Sequence, residues 1–212
     1  MDTMMGSASQ NLKPELHFWF DFASTYSYLS AMRIETVARD RSVNVVWHPF
    51  LLGPIFRKQG LETSPFNIIP AKGRYMWRDM ERQCEVLGLP LVQPDPFPQN
   101  SLFAARLAHV GRHEPWIGAF VRAVFYAEFG GGLDISDPAL LAGMLMEAGA
   151  DAKATLAKAE SMDIKIGLRA AVSEAETQGI FGAPSFVTSS GELFWGHDRM
   201  EEALNCALLL TD

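Results

Sequence analysis

The segment Gly179-Ile180-Phe181-Gly182-Ala183-Pro184-Ser185-Phe186-Val187 sets a proline at the head of a strand, behind a glycine turn that closes a helical stretch. Proline has no N–H to give to a ladder, so it can begin such a strand but cannot sit inside it. A cis bond before Pro184 would present the backbone groups of Ala183 to a ligand; the sequence leaves cis and trans both open. A hairpin follows, with Ser185 to Thr188 and Glu192 to Trp195 as strands across a turn at Ser189-Ser190-Gly191. The last helix, Met200 to Leu210, carries a buried stripe of Leu204, Ala207 and Leu208, with Asp198 placed to cap it.

The other end of the chain supplies the matching half. Leu16 to Phe22 has the apolar and aromatic makeup of a strand, Tyr26 to Arg39 repeats at helical spacing, and Val43 to Phe50 reads as a second strand. Two strands joined through one helix by short connections form a right-handed parallel βαβ unit. Between the halves the pattern is helical, broken by the proline-rich Leu89-Pro90-Leu91-Val92-Gln93-Pro94-Asp95-Pro96-Phe97-Pro98. Helices are expected near Pro70 to Gly88, Asn100 to His109, Pro115 to Phe129, Asp137 to Ala148, Asp151 to Lys158 and Ser161 to Thr177. Asp134 with Ser136, and Asp137 before Pro138, are helix-start chemistry. The order βαβ, helical block, αββα defines an α/β protein of thioredoxin-like fold with a large all-helical insertion. Residues 15–52 and 178–212 would make the thioredoxin-like domain, residues 53–177 the insertion, and the polar residues 1–14 a disordered tail.

Composition narrows the partners. A chain of 212 residues, 48% hydrophobic and 20% charged, can bury a full core. Its net charge of -7 and the lack of a Lys/Arg run argue against nucleic acid or an anionic membrane surface, leaving a small molecule as the partner. No apolar run is long enough to span a bilayer. Cys84 and Cys206 are too far apart for a redox or metal motif and read as free thiols, which suits a reducing cytoplasm. His48, His109, His113 and His197 have no ligand spacing, so no metal site is expected. Tyr26 and Tyr28 read as packing residues, and Met76, Met80, Met144 and Met146 as core.

Four segments in order, Phe20-Asp21-Phe22-Ala23-Ser24-Thr25-Tyr26-Ser27-Tyr28-Leu29, Pro70-Ala71-Lys72-Gly73-Arg74-Tyr75-Met76, Gly179 to Phe186 and Phe194-Trp195-Gly196-His197-Asp198-Arg199, resemble the 2-hydroxychromene-2-carboxylate isomerases. These are related to kappa-class glutathione transferases within the DsbA-like thioredoxin superfamily. The resemblance implies glutathione as cofactor and Ser24 as the catalytic serine. Ser24 stands where redox thioredoxins carry Cys-x-x-Cys; here the stretch is Ser24-Thr25-Tyr26-Ser27, so dithiol exchange is not possible there. A serine without an adjacent base is a poor nucleophile, so the implied role is a hydrogen bond that holds glutathione as thiolate at a helix start. An ordinary N-cap is the plainer alternative for Ser24. The resemblance also puts the backbone of Ala183 and Pro184 against the peptide of glutathione, and Trp195, Gly196, His197 and Asp198 at its γ-glutamyl end.

For the substrate carboxylate and ring, Arg57, Asn67, Lys72, Arg74, Phe97 and Asn100 lie in suitable segments. For Arg74, and more so for Arg78 and Arg82, a solvated ion-paired helix face is the alternative. Leu61 stands where some family members carry asparagine, which weakens an exact copy of polar contacts there. The implied activity is glutathione-dependent cis–trans isomerisation of 2-hydroxychromene-2-carboxylate to trans-o-hydroxybenzylidenepyruvate in bacterial aromatic degradation. A kappa-like transferase conjugating small electrophiles and a non-catalytic binding module are the alternatives. Exposed apolar helix faces would suit a homodimer.

Overall fold

A computed structural model describes residues 13–209. The expected tail therefore lies outside the described residues, apart from Lys13 and Pro14. Four strands, β1 (Glu15–Phe20), β2 (Asn44–Pro49), β3 (Ser185–Thr188) and β4 (Leu193–Trp195), form one sheet in the order β2-β1-β3-β4. β1 and β2 are parallel, while β3 runs antiparallel to both β1 and β4, as a βαβ opening and a terminal hairpin require.

Central strand β1 is covered on both faces, which explains its nearly unbroken apolar run. Its even positions, Leu16, Phe18 and Phe20, enter the larger core, where Phe18 stacks on Phe186 at 5.4 Å. Trp19 points the other way, against Phe50, Ile55, Val172 and Ile180. The larger core continues without interruption into the helical block, through Met76, Ala104, Phe120, Phe125 and Leu141.

The helices are α1 (Thr25–Ala31), α2 (Ile34–Asp40), α3 (Leu52–Lys58), α4 (Pro65–Ile68), α5 (Pro70–Leu87), α6 (Leu102–Gly111), α7 (Ile117–Phe125), α8 (Pro138–Glu147), α9 (Ala152–Ala159), α10 (Met162–Thr177) and α11 (Met200–Leu209). The single helix expected over Tyr26 to Arg39 is broken at Met32 and Arg33. Its two parts serve different neighbours, α1 packing on α5 and α7, and α2 on β2 and α11. Helix α3, not delimited in the sequence, accommodates Pro54 because the proline falls in its first turn. Helix α5 ends where Gly88 adopts a left-handed φ of 64°, which an L side chain resists.

Met146 corrects one core assignment, being 64% exposed, whereas Met144 is buried. Residues two apart on a helix face opposite sides, so one apolar stripe cannot hold both. Asp198 also departs from expectation. It lies inside a 3₁₀ turn, His197–Arg199, and its carboxylate is 3.7 Å from Arg199 rather than on a free N–H of α11. Ala183–Pro184 is cis, as are Asp95–Pro96 and Phe97–Pro98. Among the described residues no helix is long and apolar enough to cross a membrane. Burial pushes the Cys84 thiol up to about 11.

Helix α7 runs on into a π-helical turn, Tyr126–Gly130, that turns Glu128 into the core. Glu128 is fully buried, and neither carboxylate oxygen has a hydrogen-bond partner among the described residues. Burial and, secondarily, the charge of Asp21 push its pKa well above the carboxylate range. A group whose folded pKa is raised contributes stability that is fully present below the unfolded value and is lost as pH rises from there through the folded value. Glu128→Gln should therefore become progressively more stable than the parent as pH is raised above the ordinary glutamate value of 4.5. Urea midpoints measured from there upward would check this, and a pH-independent difference would show that folding does not raise the Glu128 pKa.

Candidate functional site

Asp21 follows β1 directly and is 3% exposed. Its Oδ1 accepts from the Ala23 N–H at 3.0 Å and the Ser101 hydroxyl at 2.8 Å, and its Oδ2 accepts from the Leu52 N–H at 2.8 Å. Leu51, which precedes α3, has no side chain able to cap it, and Ser101 precedes α6, so one carboxylate ties the starts of both helices to the end of β1. Burial raises the pKa of Asp21 while the three donors oppose that shift.

Three residues on, Ser24 is the N-cap of α1: its Oγ accepts from the Ser27 N–H at 3.2 Å. Its proton goes elsewhere, to the Ala183 carbonyl at 2.9 Å. The plain capping role and a second, long-range bond thus coexist, because a hydroxyl has one donor and two acceptor positions. This bond closes β1–α1 onto the loop that precedes β3.

A cleft of about 1390 Å³ opens over this junction. Ser24, Ala183, Pro184, Trp195, Gly196, His197 and Asp198 all line it, as do Arg57, Lys72, Phe97 and Asn100 from the helical block. Trp195 and Phe181 make a half-exposed aromatic rim with ring centroids 5.0 Å apart. A Cβ on Gly182 would collide with the Trp195 indole, so the close approach of this loop needs glycine.

Tyr26 stacks on His197 at 5.2 Å and donates to Asp79 at 2.9 Å. Burial first, then Asp79, pushes the phenol pKa up, so Tyr26 keeps its proton, directed at Asp79, and forms a wall of the cleft. Burial also lowers the pKa of His197, keeping its imidazole neutral near pH 7. Tyr28 donates to the Pro90 carbonyl and fixes the proline-rich segment.

Two of the basic and amide assignments change. Asn67 does not line the cleft: its amide donates to the Phe97 carbonyl at 3.1 Å, and it lines a smaller neighbouring hollow together with Phe97 and Trp77. Arg74 does not line the cleft either, because it projects from α5 at a different angle from Lys72. Asn100 does line it, with its carbonyl oxygen taken by the Leu102 N–H. The sequence reading missed Asp21, Ser101 and the far wall formed by α6 and α10, with Arg106, Lys165, Leu168, Arg169 and Val172. The far wall has a weak signal, cations four apart on an amphipathic helix, which surface helices commonly show.

The DSBA-like thioredoxin domain profile matches residues 15–205, and the chain belongs to that family. It is similar to the 2-hydroxychromene-2-carboxylate isomerase of Sphingobium xenophagum, at 29% identity over 88% of this chain and 94% of that one. Human glutathione S-transferase kappa 1 is 25% identical over 88% of this chain and 87% of its own length. Among solved structures, a selenomethionine 2-hydroxychromene-2-carboxylate isomerase superposes with a TM-score of 0.82 at 24% identity, covering 92% of this chain and 95% of that one.

Asp21→Asn tests the junction. The amide NH₂ would face a backbone N–H whichever way it is turned, leaving a donor without an acceptor. A loss of about 1–3 kcal/mol in urea unfolding is expected. Unchanged stability would mean that Asp21 does not hold α3 and α6 as described.

Proposed function

We propose that this chain is a glutathione-dependent cis–trans isomerase acting on 2-hydroxychromene-2-carboxylate or a close relative. The observation that carries the reading is the Ser24 hydroxyl bonded to Ala183 at the foot of a cleft larger than one small ligand needs, single-ligand pockets being about 300–1,000 Å³. The similarity to isomerases and kappa transferases supports glutathione as one of two occupants.

The chemistry follows from what these residues can do. The hemiketal first opens: its ring C–O bond breaks and the proton of the hemiketal hydroxyl passes to the phenol oxygen as the oxo group forms. The cis double bond left conjugated to that group rotates once it is temporarily single, and addition of a thiolate to the carbon β to the oxo group achieves this. The sulfur forms a C–S bond as the π pair moves to the oxo oxygen, giving an enolate. After rotation the pair returns, the C–S bond breaks, and glutathione leaves unchanged as thiolate.

Ser24 would turn its proton from the Ala183 carbonyl to the sulfur while still accepting from Ser27, so α1 stays capped. That rotation would also free the Ala183 carbonyl for an N–H of the glutathione peptide. Gly196, His197 and Asp198 would meet the γ-glutamyl end, while Arg57 or Lys72 steadies the substrate carboxylate and the enolate. Both cations are exposed and make no ion pair among the described residues, so either can meet an anion. Phe97 and Trp195 supply apolar walls. A kappa-type transferase would use the same thiolate but release the conjugate.

The test follows the absorbance of 2-hydroxychromene-2-carboxylate with and without glutathione while free thiol is assayed. Equilibration that requires glutathione but does not consume it is expected. Falling thiol would favour the transferase, and no change in either signal would reject this substrate. Ser24→Ala should lower kcat by about a hundredfold, the scale for losing one preorganised donor to a developing or held anion, with little change in glutathione affinity. Full activity in that variant would remove Ser24 from the mechanism.

A further inference from the structure

The cleft is wider than the site assigned above, and its far arm lies between α6 and α10. Leu168 and Val172, both buried, form an apolar floor there. Around the floor stand Arg106 from α6 and Lys165 and Arg169 from α10, all lining the same cleft as Ser24. Lys165 and Arg169 are one turn apart and so project from one face.

These cations are poorly satisfied by the protein. Arg106 makes no hydrogen bond among the described residues; its Nε is fully buried without a partner, and its side chain is 19% exposed. Its nearest carboxylate, Glu160, is 3.8 Å away, beyond hydrogen-bonding distance, and that same oxygen is 3.1 Å from Lys165 Nζ. Arg169 has no ion pair among the described residues, and Glu176, the other carboxylate on this wall, is taken by Lys58 at 2.6 Å. Two of these cations therefore share one exposed carboxylate and the third pairs with none among the described residues, in a protein whose net charge is -7. A buried guanidinium N–H without an acceptor is costly, and an oxyanion with two or three oxygens is the group that matches its fork of donors.

We propose that this arm is a second anion subsite, which takes a carboxylate or sulfonate at the end of an aromatic substrate remote from the reacting carboxylate. The inference rests on the reading above for the position of the reacting end. It narrows the substrate class from simple bicyclic monocarboxylates to aromatic compounds bearing two anionic groups. The apolar floor of Leu168 and Val172 would carry the ring between the two charges.

The test is a binding measurement that needs no turnover, so its outcome is separate from that of the isomerase assay. Dissociation constants of 2-naphthoate and naphthalene-2,6-dicarboxylate would be measured by fluorescence, with and without S-methylglutathione, in the parent, Arg106→Gln and Arg169→Gln. The parent should bind the dicarboxylate at least about tenfold more tightly than the monocarboxylate, the scale of one charge-assisted contact. Each variant should bring that ratio several-fold closer to one while leaving 2-naphthoate affinity in place. Arg169 is exposed, so its variant keeps the test valid if removing the buried Arg106 impairs folding. Equal affinity for both ligands in the parent, or a ratio unchanged in both variants, would overturn the subsite. So would variants that lose S-methylglutathione affinity instead, since the arm would then serve the glycyl carboxylate of glutathione.

Discussion

The carboxylate of Asp21 sits in the dry interior with hydrogen-bond donors from three separate segments converging on it. The cost of burying the carboxylate is offset by these bonds, and the one from the Leu52 N–H supplies the cap that Leu51 cannot give α3. The end of β1, the first turn of α3 and the first turn of α6 therefore hold one another in place. One part of the cleft hangs from these three starts: Ser24 from the first, Arg57 from the second, Asn100 and Arg106 from the third.

The same economy governs Ser24. Its hydroxyl caps α1 through an acceptor position and reaches the Ala183 carbonyl through its proton, joining the two halves of the thioredoxin-like fold across the sequence. A group with one movable proton can exchange that partner for a ligand anion without uncapping the helix. Tyr26, by contrast, is bonded to Asp79 and stacked on His197, and those contacts make it a rigid wall.

Charge is distributed against the bulk composition. The chain is acidic overall, yet seven Lys and Arg side chains, Arg57, Lys72, Arg106, Lys165 and Arg169 among them, line one cleft that holds five carboxylates. Cations along low-dielectric walls concentrate the field inside a cleft, so an anionic aromatic compound would be drawn to this opening and repelled from most of the remaining surface. The apolar rim of Trp195 and Phe181 and the floor of Leu168 and Val172 suit the ring of such a compound.

The sequence by itself determined the order of elements, because alternation, helical spacing, Pro184 at a strand head and acidic or hydroxyl residues at helix starts are local signals. It also determined which end of which elements would carry polar groups, and the segments around Ser24, Ala183 and Trp195 do meet in one cleft. Only the tertiary structure decided which side chains share that cleft. Asn67 and Arg74 were near in sequence to Lys72 but turn away from it, since residues a few positions apart on a helix or loop differ in direction. Arg106 and Lys165 are 59 positions apart by number, and no periodicity could have paired them; packing of α6 against α10 brings them to one carboxylate. Asp21 was readable as the residue that ends a strand, whereas its role as the common acceptor for two distant helices exists only once the chain has closed around it.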